Sequence, residues 1–186
     1  DRGTIEAIVR GYHATPFHVL GPHMVGGHLV IRALEPDAQA VEVGFAKSFS
    51  PMTRVPGTAL FEAVFPDRDQ PDSYVLRVTY ADGNVLLHED TYAFPPVLTD
   101  LDTYLMGEGT HLHIYEQLGA HAIEMNGVKG VRFAVWAPNA QRVSVVGNFN
   151  NWDGRRHPMQ FQHEIGVWAL FIPGLGEGEV YRYEIK

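Results

Sequence analysis

The sequence predicts an all-β fold that consists of two tandem β-sandwiches. Apolar and polar residues alternate over most of the chain, as they do in strands with one buried face. Glycine and proline residues separate these short segments, which is typical of antiparallel sandwiches. The two halves of the chain also share matching segments in the same order, which indicates one fold present twice.

A short helix is expected before the first strands. Thr4 can cap a helix over residues 5–10, and Gly11 supplies the stop signal. A second short helix is expected at 101–106, where Asp100 precedes an apolar stripe.

In the first half, alternating apolar residues predict strands at 29–34, 41–45 and 74–80. The third segment continues into Asp82-Gly83, a dipeptide that favours a two-residue hairpin turn, and residues 85–87 supply the returning strand.

In the second half, the same alternation predicts strands at 131–135 and 181–185. The segment 174–179 is glycine-rich, but it carries two carboxylates, which would repel phosphate, and it precedes a strand instead of a helix. We therefore interpret it as a hairpin turn and not as a phosphate-binding loop.

The repeat defines the expected domains. The matching segments are 20–23 with 118–121 (offset 98), 36–43 with 138–145 (offset 102), and Phe61 and Tyr74 with Trp168 and Tyr181 (offset 107). The order is kept while the offset grows by small insertions. We predict immunoglobulin-like sandwiches at 1–95 and 116–186, the second incomplete at its C-terminal end, with a linker at 96–115.

Composition excludes several classes of function. The chain carries 14 Lys and Arg against 22 Asp and Glu, a net charge of −8, which argues against a nucleic-acid or anionic-membrane partner. It has no cysteine, and therefore no disulfide, thiolate zinc site or cysteine nucleophile. No apolar stretch approaches the roughly 20 residues of a membrane span.

Motifs for metal binding and catalysis are also missing. His111 and His113 share a face in extended backbone, but only Glu108 and Glu116 lie near in sequence, so structural or solvated histidines are favoured. The sequence has no Gly-x-Ser-x-Gly elbow and no identifiable catalytic carboxylate pair. We predict no metal, no cofactor and no catalytic residue in this chain.

Trp152 is the most informative candidate binding residue. It follows the apolar segment 143–146 in a turn that is rich in asparagine. Sugars pack their C–H faces on flat aromatic rings, while amides such as those of Asn148 and Asn151 bind hydroxyl groups. The alternative is a buried turn anchor whose asparagines only satisfy the turn, and the motif alone favours this alternative.

The other two tryptophans are expected in the core. Trp168 lies in an apolar segment, and its counterpart in the first copy is Phe61, so an aromatic residue is needed there for packing. Trp136 precedes Ala137-Pro138 at the end of a predicted strand.

The segments 104–111, 119–121, 136–140, 145–159 and 166–174 closely resemble bacterial glycogen branching enzymes, the 1,4-α-glucan branching enzymes of glycoside hydrolase family 13. The resemblance is most specific from about residue 92 onward. The preceding residues resemble the additional N-terminal sandwich of some bacterial members, and the second sandwich resembles carbohydrate-binding module family 48.

This resemblance implies a cytoplasmic parent enzyme that cleaves an α-1,4-glucan and rejoins it through an α-1,6 bond, in a catalytic barrel beyond Lys186. It implies that this chain is non-catalytic, contacts α-glucan (glycogen or malto-oligosaccharides) and braces that barrel. Trp152 matches the sugar-stacking tryptophan of the family, and Arg182 falls where glucan-binding members place a basic residue.

Three functions remain open for the chain. It is a glucan-binding module, a structural spacer without useful affinity, or a regulatory glycogen-sensing module like that of the AMP-activated kinase β subunit. The tandem copy and the run 153–159 favour the branching-enzyme type over the kinase type. They do not separate a binder from a spacer.

Overall fold

The computed structural model describes residues 2–95, 108–109 and 114–186, and these form an all-β protein with one short α-helix near the N-terminus, as predicted. Contacts divide them into two units. The first comprises the described residues up to Arg10 and Phe17–Ala93, and the second comprises Gly11–Pro16 and the described residues from Phe94 to Lys186. The linker expected at 96–115 lies largely outside the described residues, so the domain boundaries stay predictions.

The helix α1 spans Arg2–Val9, so the prediction that Thr4 caps it is wrong. Thr4 already has helical backbone inside the first turn, whereas a cap must lie just outside the helix. The predicted stop is confirmed, because Gly11 has left-handed backbone with a φ of 69°. The second helix, expected at 101–106, lies outside the described residues.

The first unit contains eight described strands. They are β1 Gly21–Val25, β2 His28–Leu34, β3 Ala38–Phe45, β4 Ser48–Pro51, β5 Thr53–Arg54, β6 Leu60–Phe65, β7 Val75–Tyr80 and β8 Val85–Glu89. They form two antiparallel sheets with the strand orders β1-β2-β6-β5 and β4-β3-β7-β8. Apolar residues of β2, β3, β6 and β7 pack in one core, which confirms the strand patterns predicted for this half.

The second unit contains six described strands. They are β9 Gly119–Met125, β10 Val128–Trp136, β11 Val143–Gly147, β12 Gln160–Gln162, β13 Val167–Pro173 and β14 Tyr181–Ile185. Four of them form a sheet with the order β12-β13-β10-β9, and β11 pairs with β14. The Tyr183 hydroxyl donates to the carbonyls of Gly119 and Ala134 at 3.3 and 3.4 Å, which ties the two sheets of this unit together.

Trp168 lies in the core of the second unit, as predicted. It is fully buried, its ring stacks on Phe161 with centroids 4.6 Å apart, and its Nε1–H donates to the Ala137 carbonyl at 3.0 Å. The core prediction for Trp136 is wrong, because this residue is 61% exposed. Trp136 follows Val135, the strand partner of Trp168, so its side chain points to the opposite face of the sheet.

The glycine-rich segment 174–179 is not a hairpin turn, contrary to the prediction. It connects β13 to β14, and these strands lie in different sheets. Strand β13 already has β10 and β12 as its two neighbours, so no edge of it is left for β14. The segment therefore crosses from one sheet to the other.

The two units repeat the same strand pairing, which confirms the predicted duplication. Adding 102 to Ala33 and 107 to its partner Phe61 gives Val135 and Trp168, which are paired in the second unit. The same offsets convert the pair Val43–Leu76 into the observed pair Val145–Tyr183. The offset changes from 102 to 107 within one hairpin, so five extra residues lie there.

That hairpin follows β3 in the first unit and β11 in the second. In the first unit Phe45 pairs with Ser48, so only Ala46 and Lys47 form the turn. In the second unit the equivalent turn runs from 148 to 154, and we call these seven residues the inserted loop.

The strand register is restored on the far side of the inserted loop. The Met52 N–H donates to the Val41 carbonyl at 2.9 Å in the first unit, and Met159 N–H donates to the Val143 carbonyl at 2.8 Å in the second. The insertion therefore lengthens the loop without shifting the sheet.

A buried carboxylate lies near the C-terminal end of the first unit. Asp90 is 3% exposed and accepts hydrogen bonds from the Tyr74 hydroxyl at 2.5 Å and the Tyr92 N–H at 2.9 Å. Burial raises the pKa of Asp90 to about 6, and this effect outweighs the hydrogen bonds and the nearby His88, which lower it. The folded-state pKa therefore lies above the value of about 3.9 for an unfolded aspartate.

Asp90→Asn should remove a pH-dependent cost of folding. Between about pH 4 and pH 6 the Asp90 carboxyl keeps its proton in the folded parent chain but releases it in the unfolded chain. The contribution of Asp90 to the free energy of unfolding therefore falls as pH rises through this window. The free energy of unfolding of the variant minus that of the parent should therefore increase by about 1–3 kcal/mol across this window and stay constant above it. Urea denaturation at several pH values measures this, and a difference that is constant with pH would contradict it.

Candidate functional site

The inserted loop is attached to strand β11 at both ends. It begins after Gly147, where a Cβ atom would lie 2.6 Å from the Val180 carbonyl oxygen, so only glycine fits without a shift. The chain then makes one 3₁₀ turn at Asn148–Asn150. It returns beside the strand at His157, whose carbonyl accepts the Val145 N–H at 3.1 Å.

Trp152 lies at the surface of this loop. Its side chain is 42% exposed, so it is not a buried turn anchor. Asn151 and Trp152 both have left-handed backbone, with φ of 56° and 59°. Asparagine tolerates this conformation, whereas for tryptophan it is unusual and costs about 1–3 kcal/mol. The fold therefore holds an exposed aromatic ring in a strained position.

Asn148 contacts the Trp152 ring directly. Its Oδ1 accepts a hydrogen bond from the indole Nε1–H at 2.9 Å, and both side chains are exposed. This bond fixes the orientation of the indole plane and uses the acceptor of the amide. The two N–H donors of Asn148 stay at the surface beside the ring.

Asn151 and Arg182 complete the set of residues expected from the sequence. Asn151 is exposed next to Trp152, and its backbone N–H donates to the Asn148 carbonyl at 3.4 Å. Arg182 is exposed on β14 opposite Val146, one position from the base of the loop at Gly147. Within the described residues, no hydrogen bond joins Arg182 to the loop, so the structure brings Asn148 and Trp152 together and places Arg182 at their base.

Asp153 is engaged by a neighbour and not free to bind a ligand. Its carboxylate accepts two hydrogen bonds from the Arg155 guanidinium at 2.9 and 2.7 Å, and a third from the Arg155 N–H at 3.0 Å. Burial raises the pKa of Asp153, but the Arg155 contacts outweigh it and leave the pKa below its ordinary value. The carboxylate is therefore ionised and paired.

Asn150 is a residue of this site that sequence reasoning did not single out. It is 3% exposed, and its side-chain amide bonds to both ends of the loop. In the sequence it lies between Phe149 and Asn151 in an asparagine-rich run, so nothing marks it as the one buried asparagine. Only the 3₁₀ turn, which separates inward from outward positions, distinguishes it.

The first unit lacks an equivalent of this site. Its two-residue turn, Ala46-Lys47, has no aromatic residue and no asparagine. The candidate site is therefore a property of the insertion and not of the sandwich itself.

The described residues offer no alternative metal or membrane site. Among them, no group of three or more His, Cys, Asp or Glu side chains could hold a metal ion. No helix in this part of the chain is long and apolar enough to cross a membrane. His111 and His113 lie outside the described residues.

Two family models match the chain, one in each half. Residues 1–92 match the model described as alpha-1,4-glucan branching enzyme GlgB, N-terminal domain. Residues 117–186 match the model described as carbohydrate-binding module 48, isoamylase N-terminal domain. These matches confirm the resemblance that the sequence motifs indicate.

A curated relative supports the same assignment. The 1,4-alpha-glucan branching enzyme GlgB of Paramagnetospirillum magneticum (strain ATCC 700264 / AMB-1) is 53% identical over 180 residues, which are 97% of this chain and 24% of that protein. The chain therefore spans about a quarter of the length of this relative.

Solved structures show only a remote similarity. Ligand-free PulA from Klebsiella pneumoniae matches 89% of this chain and 18% of its own, with 18% identity and a TM-score of 0.32. The pullulanase from Anoxybacillus sp. LM18-11 matches 89% of this chain and 23% of its own, with 15% identity and a TM-score of 0.30. Similarity this low indicates nothing about the function of the chain.

Trp152→Ala should change the free energy of unfolding by less than about 1 kcal/mol, because the ring is exposed at the surface of the loop and alanine keeps the Cβ atom, so the left-handed strain is unchanged. Trp168→Ala, the matched change in the core of the same unit, should cost about 3–5 kcal/mol. Urea and thermal denaturation of both variants measure these values. An equally large loss in the two variants would show that Trp152 belongs to the core.

Proposed function

The chain is homologous to the N-terminal region of 1,4-alpha-glucan branching enzymes, and we propose that its second unit binds α-1,4-linked glucan at the inserted loop. The observation that carries this proposal is the state of Trp152: an exposed ring, hydrogen-bonded by Asn148 and held in left-handed backbone. A structural spacer has no need to keep such a ring at the surface at this cost in strain.

The surface around Trp152 has the chemistry that a glucan chain needs. A sugar ring stacks its C–H face on the indole, which is the main source of buried apolar area. The free N–H donors of Asn148 and the exposed amide of Asn151 hydrogen-bond sugar hydroxyls beside the ring. Arg182 adds guanidinium donors at the base of the loop.

We propose further that the chain acts in a longer branching enzyme. In that protein a catalytic barrel beyond Lys186 cleaves α-1,4 bonds and forms α-1,6 bonds, and the present residues contribute no catalytic group. The second unit holds glycogen or malto-oligosaccharide chains, and the chain also braces the barrel. The proposed location is the cytoplasm, where glycogen is made.

Two other functions are outcomes of the test rather than competing proposals. A spacer without affinity is favoured only if the exposed ring binds nothing. A regulatory glycogen sensor would share the binding surface, but the duplicated sandwich and the match of residues 1–92 favour the branching-enzyme type.

The 186-residue chain should bind maltoheptaose with a Kd on the order of 0.1–1 mM, which corresponds to about 4–5.5 kcal/mol. One aromatic platform buries little area, and a flexible oligosaccharide loses freedom on binding, so the affinity is modest. Trp152→Ala should abolish measurable binding in calorimetry, and Arg182→Ala should weaken it several-fold.

Trp136→Ala is the matched control for this experiment, because Trp136 is also an exposed tryptophan of the second unit but lies on a regular strand. It should bind maltoheptaose as the parent does. Flat calorimetric heats for the parent chain, or loss of binding in Trp136→Ala with retention in Trp152→Ala, would show that the proposed site is wrong.

A further inference from the structure

We infer that Asn150 is the positioning residue of the glucan site: its buried amide holds the inserted loop in the one conformation that presents Trp152. The ligand in this inference rests on the proposed function. The positioning role itself rests on the hydrogen bonds of Asn150 and can be tested without a ligand.

The amide of Asn150 joins the two ends of the inserted loop. On the β11 side, its Oδ1 accepts from the Gly147 N–H at 3.0 Å and its Nδ2 donates to the Val145 carbonyl at 2.8 Å. On the returning side, its Nδ2 contacts His157 Nδ1 at 2.8 Å. One buried side chain, 3% exposed, therefore contacts Val145, Gly147 and His157.

These contacts determine which atoms carry hydrogens. The Gly147 N–H needs an acceptor and the Val145 carbonyl needs a donor, so the orientation of the amide is fixed. The second Nδ2 hydrogen must then be donated to His157 Nδ1, which therefore carries no hydrogen. This assignment places the single ring hydrogen of a neutral His157 on Nε2. The His157 ring packs edge-on against Phe149, with the ring centroids 5.8 Å apart.

Backbone hydrogen bonds connect the region held by the Asn150 amide to Trp152. The Asp153 N–H donates to the Asn150 carbonyl at 3.1 Å, and the Trp152 N–H donates to the Gly147 carbonyl at 2.9 Å. Without the Asn150 amide, the two loop ends lose their common partner while the strain at Asn151 and Trp152 remains. The loop then relaxes, and the indole loses the single orientation that lowers the entropy cost of binding.

The first unit shows that the sandwich itself does not need such an amide. Its equivalent hairpin closes through Ala46-Lys47 and keeps the same register with neither an insertion nor a buried asparagine. Asn150 is therefore specific to the inserted loop, which is what a positioning role requires.

The indole N–H signals in a ¹⁵N–¹H correlation spectrum test the inference. The chain has three tryptophans, so it gives three such signals, and Trp152→Phe identifies one of them. In Asn150→Ala the Trp152 signal should move to the position of a solvent-exposed indole, because its bond to Asn148 is lost. The Trp168 signal should stay, since its bond to the Ala137 carbonyl lies outside the loop.

Maltoheptaose affinity should fall at least tenfold in the same variant. Asn84→Ala is the matched control, because Asn84 is also hydrogen-bonded, to Asp82 at 2.7 Å, but lies in a turn of the first unit. It should change neither the Trp152 signal nor the affinity.

A measurement on the unmodified chain keeps the inference testable if Asn150→Ala does not fold. Long-range ¹⁵N–¹H correlations of the imidazoles should show His157 with hydrogen on Nε2 alone near neutral pH. Hydrogen on Nδ1 would exclude the bond from Asn150 and overturn the inference.

The outcomes separate this inference from the proposed function. No binding by the parent chain refutes glucan binding, and the indole signal still decides the role of Asn150. If Asn150→Ala lowers stability but leaves the Trp152 signal and the affinity of the parent unchanged, Asn150 is only structural and the inference is wrong.

Discussion

The backbone hydrogen bond from the Met159 N–H to the Val143 carbonyl, 2.8 Å long, returns the chain to the register that Met52 and Val41 keep in the first unit. A slip of one residue would turn every side chain of the strand to the other face of the sheet, so a loop can lengthen only if the register is kept on both sides of it. Because the register is kept on both sides of the loop, the five extra residues of the second unit are not constrained by packing in the core. Their conformation is decided within the loop.

This division explains why two tryptophans of one unit have opposite roles. Trp168 occupies a register position shared with Phe61 of the first unit, and burial of its ring stabilises the sandwich. Trp152 has no counterpart, is 42% exposed and lies in strained backbone. Its strain is offset by local hydrogen bonds, chiefly those of Asn150, and its exposed ring is what we propose that a glucan chain contacts.

Much of the fold could be predicted because its signals are local or periodic. Alternation identified the strands, and the offsets identified the duplication, whereas the position of the five-residue insertion followed only from the strand register. The misassigned features depend on contacts distant in sequence. Strand β13 lies between two other strands, which excludes a hairpin at 174–179, and the last residue of β10 points away from the core. Within the site, Asn148, Asn150 and Asn151 are chemically identical, and only the 3₁₀ turn makes one buried and two exposed.

The most direct test of the central claim is a titration of the ¹⁵N-labelled chain with maltoheptaose, with every amide and indole signal followed. The account predicts that shifts concentrate in the inserted loop, above all at the Trp152 indole and Asn148, with smaller shifts at Arg182. It predicts none at Ala46-Lys47, the equivalent turn of the first unit. Shifts of similar size at both turns, or a Trp152 indole that does not move at saturation, would contradict it.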